Sequence, residues 1–430
     1  MSEDRDLPKQ WQLKKLSELI GDEGIFCDGD WVETKDQAKD GDVRLIQLAD
    51  IGDGCFKDKS NRHLTFQRAL ELKCTFLTKG DILIARMPDP LGRSCIFPLD
   101  GKNKYVTVVD IAIIRVDNNI IDNKYLSHII NSLQIRKAIN ELESGTTRKR
   151  ISRKNLNTID FPIPPLRKQQ AIVSKLEELL SDLENGKQQL QTALLQLKIY
   201  RQSLLKYAFE GRLTNPNVKP GELPTGWKWV KTKDVIEVIN NGYTPHKEYL
   251  FEGMGEIPFI KVYNLNFDGT LNFKKNPTFI PNNIHKKHLK RSICYPGDVL
   301  TNIVGPPLGK VSIVPNQFPE WNINQAIVLF RPNANIISKF ISYYLQNPLT
   351  INWLEDTSKA TAGQWNIKVS TCREIPIPIP PMEEQMLIVN ELESKLTVCE
   401  KLQETIAQSL LQSETLKQSI LKKAFEGKLV

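Results

Sequence analysis

The sequence predicts an α+β fold: two mixed α/β domains joined by two long helices that form an antiparallel coiled coil, the whole a pseudo-twofold tandem repeat. Three observations predict it. The closing word AFEGKLV, Ala424 to Val430, has a close copy, AFEGRLT, at Ala208 to Thr214, an offset of 216 residues. The same offset lays PIPPLRKQQAIV (Pro162 to Val173) on PIPPMEEQMLIV (Pro378 to Val389) with no insertion between the words. Each PIPP word is also separated from its AFEG word by a long proline-free stretch, while the segments upstream mix short β-branched runs with turns.

The upstream segments come first in each repeat. Strands are expected at Val43 to Ala49, Asp81 to Arg86 and Val109 to Val116, and again at Ile257 to Asn264, Asp298 to Val304 and Gln325 to Arg331. Helices are expected at Asn123 to Ile139 and Ile337 to Asn347. LPKQW (Leu7 to Trp11) stands 216 residues before LPTGW (Leu223 to Trp227), and GDILIAR at Gly80 stands 217 before GDVLTNI at Gly297. LGRSCIFP at Leu91 and LGKVSIVP at Leu308 keep that spacing.

The long helices follow. A double proline (Pro164-Pro165, Pro380-Pro381) suits a first turn, and Gly211 and Gly427 stand where a C-terminal cap belongs. About 45 residues at 1.5 Å each span roughly 65 Å. Ile172, Leu176, Leu179, Leu183, Gly186, Leu190, Ala193, Leu197, Tyr200, Leu204 and Tyr207 step by four and three, a heptad seam. The second seam, from Ile388 to Lys423, is leakier, with lysines and serines among its apolar positions. Helices that run out and back predict neighbouring chain termini, with Thr214 to Trp227 as the linker. The expected boundaries are 1–158 and 214–372 for the two domains and their linker, and 159–213 and 373–430 for the helices.

Composition narrows function. Of the 430 residues 40% are apolar and 25% charged, and the chain shows no run of about 20 apolar residues that a spanning helix needs. With a polar, acidic start, this leads us to expect a cytoplasmic protein. Seven scattered cysteines without a C-x-x-C pair read as reduced, buried thiols. VGPPLGKVS (Val304 to Ser312) lacks the spacing and amide donors of a phosphate loop. His285 and His288 read as surface histidines in a basic run rather than metal ligands. No catalytic constellation is expected.

Cationic runs do stand out. SGTTRKRISRKN (Ser144 to Asn155) holds five basic residues, HKKHLKR (His285 to Arg291) concentrates charge in the second domain, and Arg93, Lys310 and Lys368 stand in loops. Lys and Arg suit phosphates, while Arg, Asn and Gln can read base edges.

Two variable domains, two helices opening with PIPP-x-x-x-Q and closing with AFEG-[RK]-L, and the paired GD-[IV]-L and LG-[RK] words together resemble the specificity subunit of type I restriction-modification enzymes. NGYTPHKEY (Asn241 to Tyr249) is similar to the G-x-TP segment of that family's target recognition domains, where the first domain has CDGDWVETKD (Cys27 to Asp36). The resemblance implies a non-catalytic subunit whose two domains bind the halves of a bipartite DNA target, with the helices as spacer. It implies two methylation subunits docked on the repeats, with restriction and translocation subunits in the full complex. S-adenosylmethionine, ATP and Mg would belong to those partners, and none to this chain.

Expected DNA contacts are Arg86, Arg93, Arg148, Lys149, Arg150, Arg153 and Lys154 in the first domain. In the second they are Tyr243, Thr244, Lys286, Lys287, Lys310, Gln364 and Lys368. Phe209, Glu210, Gly211, Phe425, Glu426 and Gly427 are expected near partner contacts, or as plain helix caps. Arg167-Lys168 against Glu383-Glu384 puts cations at one positive helix end and not the other, so unequal docking surfaces are expected. The competing reading is a coiled-coil adaptor that presents two ligand-binding domains without DNA.

Overall fold

The computed structural model describes residues 7–21, 24–88, 90–146, 148–219, 221–358 and 365–430. The chain divides into two compact units, 1–190 with 407–430, and 191–406. Both long helices are unbroken, Leu166–Phe209 and Met382–Phe425, 44 residues each, and each contributes one half to each unit. No helix of the described residues is long and apolar enough to cross a membrane.

In the first unit the strands are β1 (Gln12–Lys14), β2 (Ile25–Asp28), β3 (Val43–Ile46), β4 (His63–Leu64), β5 (Ile82–Ala85), β6 (Ser94–Ile96), β7 (Tyr105–Thr107), β8 (Ile111–Arg115) and β9 (Phe161–Ile163). Antiparallel pairing orders a central sheet β2-β8-β5-β6, beside a smaller sheet β4-β3-β7 in which β3 and β7 run parallel. β1 and β9 pair at the point where the chain enters its long helix. β5 and β8 are apolar at nearly every position because both faces are covered, by Tyr125 and Ile129 on one side and Ile46, Leu77 and Phe97 on the other.

The second unit repeats the plan. Its strands are β10 (Lys228–Lys231), β11 (Ile236–Asn241), β12 (Phe251–Glu252), β13 (Ile257–Ile260), β14 (Thr278–Ile280), β15 (Val299–Asn302), β16 (Val304–Gly305), β17 (Val311–Ile313), β18 (Asn322–Ile323), β19 (Ile327–Pro332), β20 (Trp365–Asn366) and β21 (Pro376–Ile379). The order β11-β19-β15-β17 matches the first central sheet, β13 and β18 are again parallel, and β10 pairs with β21 as β1 does with β9.

The expected helix from Asn123 to Ile139 is two helices, Asn123–Ile130 and Leu133–Glu141. The break has a local cause. Ser132 caps the second helix by accepting from the Ile135 amide at 3.4 Å, while the Asn131 side chain bonds to the Ser94 amide and carbonyl at 3.0 and 2.9 Å.

The repeated words are anchors. In PIPP-x-x-x-Q the glutamine is buried: Gln169 donates to the Pro164 carbonyl at 2.8 Å and accepts from the Asp122 amide at 2.8 Å. Gln385 does the same with Pro380 (3.2 Å) and Ile337 (3.0 Å), so each helix start is bolted to its own domain. The AFEG word ends each helix in a Schellman cap. Arg212 and Lys428 donate five residues back at 3.1 and 2.9 Å, and Gly211 and Gly427 sit at φ of +76° and +71°. A Cβ on Gly211 would lie 2.2 Å from Pro224 Cγ, and one on Gly427 2.7 Å from Pro8 Cγ, so the LPxxW words close on the caps. Met1 lies outside the described residues; from Leu7 onward the N-terminal segment packs against the C-terminal one.

Within each unit the helix halves run antiparallel. Ile172 and Leu176 pack with Leu421 and Phe425, and Lys187 reaches Glu414 at 2.6 Å. In the other unit Leu204 and Phe209 pack with Ile388 and Leu392, and Arg201 lies 3.7 Å from Glu400. Of the remaining seam positions Cys399 is buried and the others are half-buried at most, as a two-stranded contact leaves them.

Of the basic pair at the first helix start, Lys168 is accommodated rather than left facing the dipole. Glu384 accepts from Trp227 Nε1 (2.9 Å), Thr214 Oγ1 and Asn215 Nδ2 (2.6 Å each), and Lys168, at the matching place, donates to the main-chain oxygen of Val430 at 2.5 Å. All seven cysteines are free; Cys55 is exposed and Cys27 half-buried, which corrects the expectation that all are buried.

Candidate nucleic-acid interface

In the first unit β2 ends at Asp28, and the next residues cross from the central sheet to the smaller one. Gly29 donates to the Ile111 carbonyl and Asp30 to the Thr107 carbonyl, both at 2.8 Å. The approach is so close that a Cβ on Gly29 would lie 2.3 Å from the Val108 oxygen, so only glycine fits. At this junction opens a cleft of about 700 Å³, lined by Asp30, Trp31, Glu33, Lys35, Gln37, Gln47, Arg62, Arg86, Asp110, Arg148 and Arg150, among others.

The basic loop reaches the cleft through the backbone. The Arg86 carbonyl accepts from the Ile151 amide at 3.1 Å, and the Arg86 amide donates to the Asp110 carbonyl at 2.8 Å. Arg86 pairs with Asp28 at 2.5 Å and Lys35 with Glu33 at 2.5 Å. Arg148 and Arg150 are exposed and have no ion-pair partner among the described residues, so the cleft offers uncommitted guanidinium groups suited to phosphate or base acceptors. Asp30, on its wall, accepts from the Thr75 amide at 3.0 Å, and burial pushes its carboxyl up to about 6.

Three of the seven expected first-domain residues, Arg86, Arg148 and Arg150, meet in this cleft. Arg93 is a correction. It is buried, and its guanidinium donates to the main-chain oxygens of Ile51 (2.7 Å), Leu48 (2.9 Å), Pro90 (3.0 Å) and Met87 (3.2 Å), so it holds loops together. Lys149 is paired with Glu143 beside a different, smaller cavity. Arg153 is exposed and reaches the Phe26 carbonyl at 2.8 Å; Lys154 is exposed next to it.

In the second unit Gly242 stands where Gly29 does: a Cβ there would lie 2.0 Å from the Ile323 oxygen. Tyr243 follows it into solvent, and the Thr244 hydroxyl bonds to Gln325. Lys310 matches Arg93 in sequence but lies over the Phe267 ring at 5.7 Å. Lys287 and Lys368 are exposed, whereas Lys286 is committed to Glu320 at 2.6 Å. His285 corrects the surface reading: it is fully buried, bonded to Asn322 at 3.0 Å and Glu320 at 3.2 Å. Gln364 lies outside the described residues.

The expected partner contacts divide. Phe209 packs edge-on against Phe340 and Tyr344 (centroids at 5.1 and 5.0 Å), and Phe425 against Tyr125 (5.4 Å). Both rings therefore belong to the domain cores, and Gly211 and Gly427 to the caps, the helix-cap reading of the two expected from the sequence. Glu210 and Glu426 stay at the surface in local pairs with Lys206 and Lys428 at 3.7 and 2.8 Å.

The sequence reading missed Trp31, Gln37, Gln47 and Arg62. A signal existed for Trp31: GDWVETKD aligns with GYTPHKEY at an offset of 213 rather than 216.

Two mixed domains of one topology, each bolted to its own share of two long helices, define a duplicated scaffold. Two solved structures share it: a chain from work on the assembly and conformational transition of a type I R-M system (TM-score 0.76, 20% identity, 98% of this chain and 99% of that one) and the HsdS subunit of Thermoanaerobacter tengcongensis (TM-score 0.58, 19% identity, 98% of each). The chain belongs to the type I restriction modification DNA specificity domain family, whose model matches residues 8–192 and again 224–412. It is 30% identical over 305 residues to the EcoBI specificity subunit of Escherichia coli (68% of this chain, 63% of that protein). It is 24% identical over 311 residues to the EcoKI specificity subunit of Escherichia coli strain K12 (71% and 65%). These matches span slightly less than two thirds of the curated relatives' length.

Proposed function

We propose that this chain is the non-catalytic, sequence-specific DNA-binding subunit of a cytoplasmic type I restriction-modification complex. In this reading each domain recognises one half of a bipartite duplex target, and partner subunits methylate adenine there or cleave the DNA. The observation that carries the reading is the first-domain cleft, where Arg148 and Arg150 stand exposed with no ion-pair partner among the described residues, beside Gln37 and Gln47, whose amides suit base edges, on a scaffold of the specificity family. The duplicated plan suits two copies of one methylation subunit. S-adenosylmethionine, ATP and Mg would be held by the partners.

Binding to duplex DNA should weaken steeply with salt, because each phosphate neutralised releases counterions. Replacing both Arg148 and Arg150 by alanine should lower affinity and reduce the salt slope by about 2. Fluorescence anisotropy, with the chain alone and with a methylation subunit, measures both. Salt-independent binding, or no binding in either form, would contradict the proposal and favour the adaptor.

A further inference from the structure

Trp31 and Tyr243 are the two most exposed aromatic side chains among the described residues, at 70% and 66%. They occupy adjacent places: at the local offset of 213 Trp31 falls on Thr244, the residue after Tyr243. Each lies within two residues of a glycine pressed against the neighbouring strand, Gly29 or Gly242, at the junction of the two sheets. Each is followed by a short 3₁₀ turn, Thr34–Asp36 or Lys247–Tyr249, at the common offset of 213. The indole N–H of Trp31 has only a long contact, 3.4 Å to Glu33, so the ring is not held for the fold. It lines the same cleft as Arg62, Arg86, Arg148 and Arg150, which supply the charge that a polyanion seeks. An indole face gains nothing from a phosphate but gains from a base, by stacking or by apolar contact with a groove edge.

We propose that Trp31 is the specificity-determining base contact of the first domain, an apolar platform meeting the bases while the neighbouring arginines hold phosphates. This rests on the DNA-recognition reading above. In the second domain the exposed ring is Tyr243, one residue nearer its glycine and carrying a hydroxyl, so the two domains present different surfaces to their halves of the target.

The test uses the full chain co-expressed with a methylation subunit, with methylated adenines mapped by single-molecule sequencing for wild type, Trp31→Ala, Trp31→Phe and Tyr243→Ala. Wild type should yield a bipartite motif. Trp31→Ala should relax positions in one half only, Trp31→Phe should restore them at least partly, and Tyr243→Ala should relax the other half. If Trp31→Ala instead abolishes methylation, the purified complex is titrated with duplex carrying the wild-type motif. Affinity about tenfold weaker at an unchanged salt slope then supports the proposal; unchanged affinity overturns it. An unaltered motif for Trp31→Ala, or relaxation of the same half by Trp31→Ala and Tyr243→Ala, also overturns it. A wild-type complex that methylates no defined motif brings down the DNA-recognition reading itself, and this inference with it.

Discussion

Asp81 with Arg115 in the first domain and Asp298 with Arg331 in the second make the same two-pronged ion pair. Arg115 donates at 2.8 and 2.7 Å, Arg331 at 3.0 and 2.8 Å, and each arginine also holds a main-chain oxygen, of Phe76 or Ile293. Twelve residues beyond each aspartate the copies part: Arg93 is folded into loop carbonyls, while Lys310 lies over an aromatic ring. The difference teaches where duplication leaves freedom. Contacts that bolt strand to strand and helix to domain recur nearly atom for atom, and side chains on the loops between them do not.

The shared anchors can be broken in matched pairs. The largest effect is expected at the helix-end rings: Phe209→Ala and Phe425→Ala should each cost about 3–5 kcal/mol by chemical denaturation, since each empties a core and loses edge-to-face contacts. A loss confined to one of them would show that the copies are not equivalent there. Next come the buried amides. Gln169→Leu and Gln385→Leu each orphan a main-chain donor and acceptor, and should cost about 2 kcal/mol each.

The smallest effect is on pH dependence. Burial holds the imidazole of His128 below its ordinary range, with Glu177 opposing and Lys124 and Lys417 adding to the shift; burial does the same to His285, with Glu320 opposing. The unfolded chain therefore takes up protons that the fold refuses as pH falls through about 6.5, and stability drops until the lower folded-state value is reached. His128→Gln should flatten part of that decline in urea titrations between pH 7 and 5, and an unchanged profile would show that His128 is not the group refused.

Much of the scaffold was legible because duplication writes each anchor twice: PIPP-x-x-x-Q, AFEG and LPxxW each name a contact. The candidate interface was less so. Arg93 and Arg148 are the same letter, and only the loops around Arg93 show its donors already taken. His285 read as surface because its neighbours are lysines, yet its side of the short helix faces Asn322. Trp31 lies in the segment matched to NGYTPHKEY, but at the local offset of 213 its counterpart is Thr244, so no repeated aromatic marks it.

The central claim, common anchors under independent reading surfaces, is tested most directly by a chimera. Residues 12–163 are replaced by a second copy of 228–379, the segments bounded by β1 and β9 and by β10 and β21. The complex is then assembled with methylation subunits, and its methylated adenines are mapped. The account predicts a folded protein whose motif has both halves equal to the one read by the second domain. A chimera that folds but still yields the original two unlike halves would contradict it.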